Sequence, residues 1–137
     1  MKYTKLNLNW NAEPNSPDEI LTMEREVVRL EFSLNSFLYE NFQERDKGVL
    51  EFNNVHKFSL NRMNDEGYFS GKYRYKNSDL PWGEFYVVET DWEIDFPKNN
   101  LLILPKGKNK LLKHYIFFLK DSTFECVAEN YNFTTIL

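Results

Sequence analysis

The sequence predicts an all-β domain, an antiparallel sandwich or barrel of about eight to nine strands with room for one short helix. Three observations carry that expectation. Aromatic residues make up 17% of the chain, with 12 Phe, 8 Tyr and 3 Trp, and such rings suit pleated, half-buried surfaces better than helix interiors. Short apolar runs alternate with polar residues at the period of a strand. Clusters of Asn, Asp, Gly and Pro punctuate these runs at the spacing of antiparallel folds. With 137 residues the chain has the length of one domain, 1–137, and no internal repeat or low-complexity tract marks a second.

The first strand is expected over Tyr3 to Trp10, alternating around Leu6, Leu8 and Trp10. Pro14 and Pro17, with Asn11 and Asn15, make residues 11–19 a connection. Ser16-Pro17-Asp18-Glu19 has the form of a helix start, and Ile20, Met23, Val27, Leu30, Leu34 and Phe37 recur at helical spacing. Against this, Val28, Leu30, Phe32 and Leu34 alternate with Arg29, Glu31 and Ser33. A strand is therefore expected from about Val27 to Leu34, with a short helix before or after it as the alternative.

Leu50 and Phe52, then Phe58 and Leu60, bracket the turn-like Asn53-Asn54 and read as paired or bent strands. Asn64 to Gly67 is the next turn. Phe69, Gly71, Tyr73 and Tyr75 share one face of a strand over 68–75, and Lys76 to Pro81 leads into another over Trp82 to Glu89. Trp92, Ile94 and Phe96 alternate with Asp91, Glu93 and Asp95, which predicts a strand with one apolar and one acidic face. Leu101 to Leu104 reads as a short strand stopped by Pro105. His114 to Leu119 and Thr123 to Ala128 flank Lys120-Asp121-Ser122 as a hairpin.

Seventeen Lys and Arg against 21 Asp and Glu give a net charge of -4, so no general attraction to a phosphate backbone is expected and nucleic acid is not an expected partner. The basic run Lys106, Lys108, Lys110 and Lys113 reads as a solvated loop. The single cysteine, Cys126, allows no intrachain disulfide framework and reads as a small buried hydrophobe. The first ten residues lack the apolar core of a signal peptide, and no apolar run has the length of a membrane span. A cytoplasmic location without membrane association is the resulting expectation.

The sequence contains no G-x-S-x-G, H-E-x-x-H, C-x-x-C or P-loop spacing, so the corresponding reaction classes lack their usual support. His56 and His114 read as hydrogen-bonded structural residues. Asp91-x-Glu93-x-Asp95 resembles the opening of a calcium loop, but Phe96 stands where that loop requires glycine. No catalytic residue, metal site or cofactor is assigned. The better candidate comes from pairing segments 68–75 and 83–89 as antiparallel neighbours. Arg74 then meets Glu84, flanked by Trp82 and Tyr86, with Trp10 as a further ring of a ligand site. Facing a cavity, the group would bind a small ligand; facing water, it is a cross-strand ion pair of little consequence.

The blocks Trp10-Asn11-Ala12-Glu13-Pro14-Asn15, Asn64-Asp65-Glu66-Gly67-Tyr68 through Trp82-Gly83-Glu84-Phe85-Tyr86, and Asp121-Ser122-Thr123-Phe124-Glu125-Cys126 resemble a group of small bacterial all-β proteins. The similarity spans most of the chain. The group has no established activity, so the resemblance implies a bacterial cytosolic domain and transfers no functional residue.

The expected function is a small soluble noncatalytic binding domain for a small molecule or a protein, using Trp10, Arg74, Trp82, Glu84 and Tyr86. An immunity-type protein that neutralises a toxin partner is the first alternative, from size and acidic balance. A carboxylate-based enzyme, pairing Glu84 with Glu125 or Asp65, is the second. The aromatic excess also allows a homodimer.

Overall fold

The computed structural model describes residues 1–62, 64, 80–106 and 111–137. Ten strands are found among them: β1 (Lys2–Lys5), β2 (Ile20–Glu24), β3 (Val27–Ser33), β4 (Lys47–Asn53), β5 (Lys57–Asn61), β6 (Phe85–Glu89), β7 (Leu101–Leu102), β8 (Lys113–Phe118), β9 (Thr123–Ala128) and β10 (Asn130–Ile136). One four-residue helix, α1 (Trp92–Asp95), follows β6. A six-stranded sheet runs β1-β6-β8-β9-β5-β7 and a four-stranded sheet runs β10-β4-β3-β2. Every pairing is antiparallel. The result is a sandwich, not a closed barrel, because each sheet keeps two edge strands.

Alternation explains the shared core. Val28, Leu30 and Phe32 of β3, Leu50 and Phe52 of β4, Phe85 of β6, Tyr115 and Phe117 of β8, and Phe124 and Cys126 of β9 form one buried cluster between the sheets. Phe52 touches four rings, those of Phe85, Tyr115, Phe124 and Tyr131, at centroid distances of 5.3 to 6.4 Å. Burial of such a side chain contributes roughly 1.5–3 kcal/mol. Gly48 lies opposite Phe32 in the β3–β4 ladder, and a Cβ there would stand 2.8 Å from the ring. Glycine is what allows the ring to lie over that strand.

The outer face of the six-stranded sheet is also buried. Tyr86, Val88, Ile116 and Phe118 form a second cluster with Leu80, against which Trp82 packs. Strands covered on both faces become nearly continuous apolar runs, and all six residues of β9 are indeed buried.

The two sheets are joined by one bent ribbon. Residues 47–53 pair with 130–136, and 57–61 pair with 123–127. Between Asn53↔Asn130 and Lys57↔Val127, residues 54, 55 and 56 face only residues 128 and 129. This one-residue surplus is a bulge. Asn54 takes the left-handed φ of 52° there, a conformation that asparagine tolerates. Its Nδ2 donates to Glu129 Oε2 at 3.1 Å, and the Glu129 amide donates to Asn53 O at 3.1 Å. The Asn53-Asn54 signal is thus a corner between sheets.

Four expectations are revised. The first strand ends at Lys5, because the chain turns away so that Ala12 can bridge Leu34. Ile20–Glu24 is a strand that pairs with β3, although the sequence suggested a helix start there. Residues 130–136 form β10, beyond the last predicted strand. Residues 91–96 are not a strand: the amides of Ile94 and Asp95 both donate to Asp91 O, closing the helical turn of α1 before Pro97 ends it. The three acids are exposed as expected, but Ile94 is exposed with them, and Trp92 is held by Lys57, whose Nζ lies 5.4 Å from its ring and 4.8 Å from that of Phe96. The predicted strand over 68–75 lies outside the described residues.

The core also sets an alkaline limit. Burial pushes the Tyr115 phenol from 10.0 up to about 12, with Tyr131 and then Cys126 adding smaller contributions; burial raises Tyr131 as well. The unfolded phenol ionises first, so this stability is complete below pH 10 and is lost as pH rises through about 12. We predict that the urea midpoint holds to about pH 10 and then falls, with a slope of up to about 1.4 kcal/mol per pH unit for each buried phenol. A midpoint still flat at about pH 11.5 would contradict this.

Candidate functional site

Trp82, Gly83 and Glu84 form the turn that enters β6, and they meet residues 11–14 and the end of β8. Together these segments line a cleft of about 200 Å³ that includes Asn11, Glu13, Pro14 and Lys120. Gly83 has φ +90°, and apart from its chain neighbours no heavy atom of the described residues lies within 4 Å of where a Cβ would stand. The left-handed turn therefore requires glycine and leaves the space above it open. The Trp82 ring packs on Phe118, with centroids 4.7 Å apart.

Glu84 is positioned from the opposite side by Asn7, which is completely buried. Asn7 Oδ1 accepts from the Phe85 amide at 2.9 Å, while Nδ2 donates to Trp10 O at 2.8 Å and also to Glu84 Oε2. Lys5 Nζ stands 3.5 Å from the same carboxylate oxygen. Glu13 Oε2 accepts from the amides of Asn15 and Ser16, folding the loop back on itself. Asn11 differs from Asn7: its Oδ1 is buried and has no hydrogen-bond partner among the described residues. Such an acceptor is destabilising by about 1–3 kcal/mol unless a donor reaches it.

Of the residues selected from sequence, Trp82 and Glu84 line this cleft. Tyr86 is buried beside them, its hydroxyl donating to Pro81 O at 2.7 Å and its ring 6.0 Å from Phe118. Trp10 lies on the other side of the sheet, in the core, stacked on Phe133 at 4.1 Å. Arg74 lies outside the described residues. The sheet neighbours of β6 are β1 and β8, so Glu84 meets Lys5 where the 68–75 pairing had placed Arg74. Asn7 and Asn11 were not singled out; their signal was the run of three asparagines around Trp10 in N-L-N-W-N.

A larger groove, about 1000 Å³ in volume, lies where β1, the end of β6 and α1 meet, with Tyr3, Thr90, Trp92, Lys113 and His114 among its lining. Beneath it runs a hydrogen-bonded chain. His114 Nε2 is 2.9 Å from Glu125 Oε1, both side chains being fully buried, and His114 Nδ1 is 2.6 Å from Thr90 Oγ1. The two contacts, one at each ring nitrogen, fix the orientation of the imidazole. The chain ties Thr90, two residues ahead of α1, to the centre of the sheet. Glu84 and Glu125, paired in the carboxylate-enzyme expectation, are thus engaged by different groups, and Asp65 lies outside the described residues.

Burial raises the Cys126 thiol well above its ordinary range, which opposes a nucleophilic role. Among the described residues no cluster of three or more His, Cys, Asp and Glu is placed to hold a metal ion, and no helix is long and apolar enough to cross a membrane. The chain matches no protein-family model, no curated protein and no solved structure.

Proposed function

We propose that this protein is a noncatalytic binding domain that takes a small planar ligand bearing N–H donors into the cleft between Trp82 and residues 11–14. The buried, unpartnered Asn11 Oδ1 carries this reading. A donor that reaches it relieves an unsatisfied acceptor, and that gain adds to whatever the ligand ring obtains from Trp82. The Glu13 and Glu84 carboxylates favour an amine or amidine over an acid, and Gly83 leaves room for the ring to approach the backbone. A volume of about 200 Å³ suits one ring rather than a nucleotide or an oligomer.

The test is a thermal-shift screen with adenine, benzamidine, nicotinamide and benzoate as probes, followed by titration of any hit. The expected outcome is binding of one or more of the N–H-bearing probes and not of benzoate. Trp82→Ala and Asn11→Ala should each weaken it by about tenfold or more, the equivalent of about 1.4 kcal/mol. A hit indifferent to both changes, or no hit among the donors, overturns the assignment.

A further inference from the structure

We propose that β10 is a dimerisation edge, which pairs with β10 of a second copy of the chain about a two-fold axis. Among the described residues the two sheets end in four edge strands, β1, β7, β2 and β10, and three are guarded in the usual ways. Lys2 and Lys5 flank β1, β7 is two residues long between Pro97 and Pro105, and β2 is bracketed by Asp18, Glu19, Glu24, Arg25 and Glu26. β10 carries no such guard. Its seven residues, Asn-Tyr-Asn-Phe-Thr-Thr-Ile, include no charge and no proline and are rich in strand-favouring side chains.

The occupant follows from symmetry and charge. An isologous contact sets the same strand against itself, so an edge carrying charge of one sign would bring like charges together. β10 avoids this, and it offers no charge with which to select an oppositely charged partner. A two-fold centred on Phe133 would set Asn132 opposite the partner's Thr134, both on the exposed face, and Tyr131 opposite the partner's Thr135. The strand is held ready for this: Tyr131 and Phe133 pack against the core, with Phe133 stacked on Trp10 at 4.1 Å, while Asn130, Asn132, Thr134, Thr135 and Ile136 are exposed. Two four-stranded sheets would become one of eight strands. The association closes at the dimer because β2 remains guarded. Edge pairing alone covers less than a standard interface, so a dissociation constant in the micromolar range is expected.

Sedimentation equilibrium from about 1 to about 100 μM, the range in which such a dimer dissociates by mass action, is the test. The wild type should pass from monomer to dimer across that range. Thr134→Lys sets a cation opposite the partner's Asn132 and diagonally across the axis from its own symmetry mate, and should weaken the dimer by about tenfold or more. Thr22→Lys on β2 should leave it intact. Asn132→Lys serves as a second edge variant should Thr134→Lys fail to fold. With Cys126 buried, the double variant Asn132→Cys/Thr134→Cys should form an oxidised covalent dimer. A wild type that stays monomeric throughout, a dimer insensitive to the folded edge variant, or one disrupted by Thr22→Lys overturns the proposal. None of these results bears on the Trp82 cleft.

Discussion

Trp10→Ala is expected to destabilise the protein by about 3–5 kcal/mol, a large part of the roughly 5–15 kcal/mol available to a domain of this kind. Trp10 is 5% exposed and closes the end of the sandwich where the chain leaves β1 for the end of β3. Its indole meets Phe133 at 4.1 Å, Phe32 at 5.5 Å and Phe117 at 5.9 Å, and therefore joins β10, β3 and β8 across both sheets. Its carbonyl also accepts from Asn7, so loss of the ring loosens the loop that orients Glu84. Truncation removes the buried area and leaves a cavity that rigid flanking strands fill poorly. The urea midpoint should fall by at least about 1 M with an unchanged m-value. Trp10→Phe should recover part of the loss. A shift in midpoint small enough to match a surface substitution would show that Trp10 is not a core residue.

This placement shows what the sequence could and could not reveal. Alternation located the buried strands well: β3, β4, β5, β8 and β9 fall where Val27 to Leu34, Leu50 to Phe52, Phe58 to Leu60 and the final hairpin predicted. It was weak at edges, where neither face need be apolar. β2 exposes Ile20, Thr22, Met23 and Glu24, and β10 alternates only through Tyr131 and Phe133. Alternation misled at residues 91–96, because the aromatic residues there answer to Lys57 on a neighbouring strand and not to a common sheet face.

The candidate site was legible only in part, for a related reason. Trp82 and Glu84 are close in sequence and share a turn, so proximity followed from spacing. Which groups oppose them depended on the sheet order, and β1 occupies the place next to β6. Asn11 reaches the same cleft from a segment some 70 residues away, through the bridge between Ala12 and Leu34. Local pattern carries no such long-range register.

The buried pair of His114 and Glu125 should show strong energetic coupling. Both side chains are fully buried on the outer face of the six-stranded sheet, where the cross-strand neighbours of Glu125 are Ile116 and Ser59 and the Phe96 ring lies 5.4 Å from the imidazole. His114→Leu takes a hydrogen-bond partner from the buried Glu125 carboxyl and is expected to destabilise by about 1–3 kcal/mol. Glu125→Gln keeps a hydrogen-bond partner for Nε2 and should cost less. The double variant His114→Leu/Glu125→Leu completes a double-mutant cycle, in which a coupling energy of about 1–3 kcal/mol is expected. Thr90→Val, which deletes the hydroxyl at Nδ1, should cost only about 1 kcal/mol, since that group lies at the half-buried end of the chain. Additive effects of the two leucine substitutions would mean that the pair contributes through packing, and not through the hydrogen bond between them.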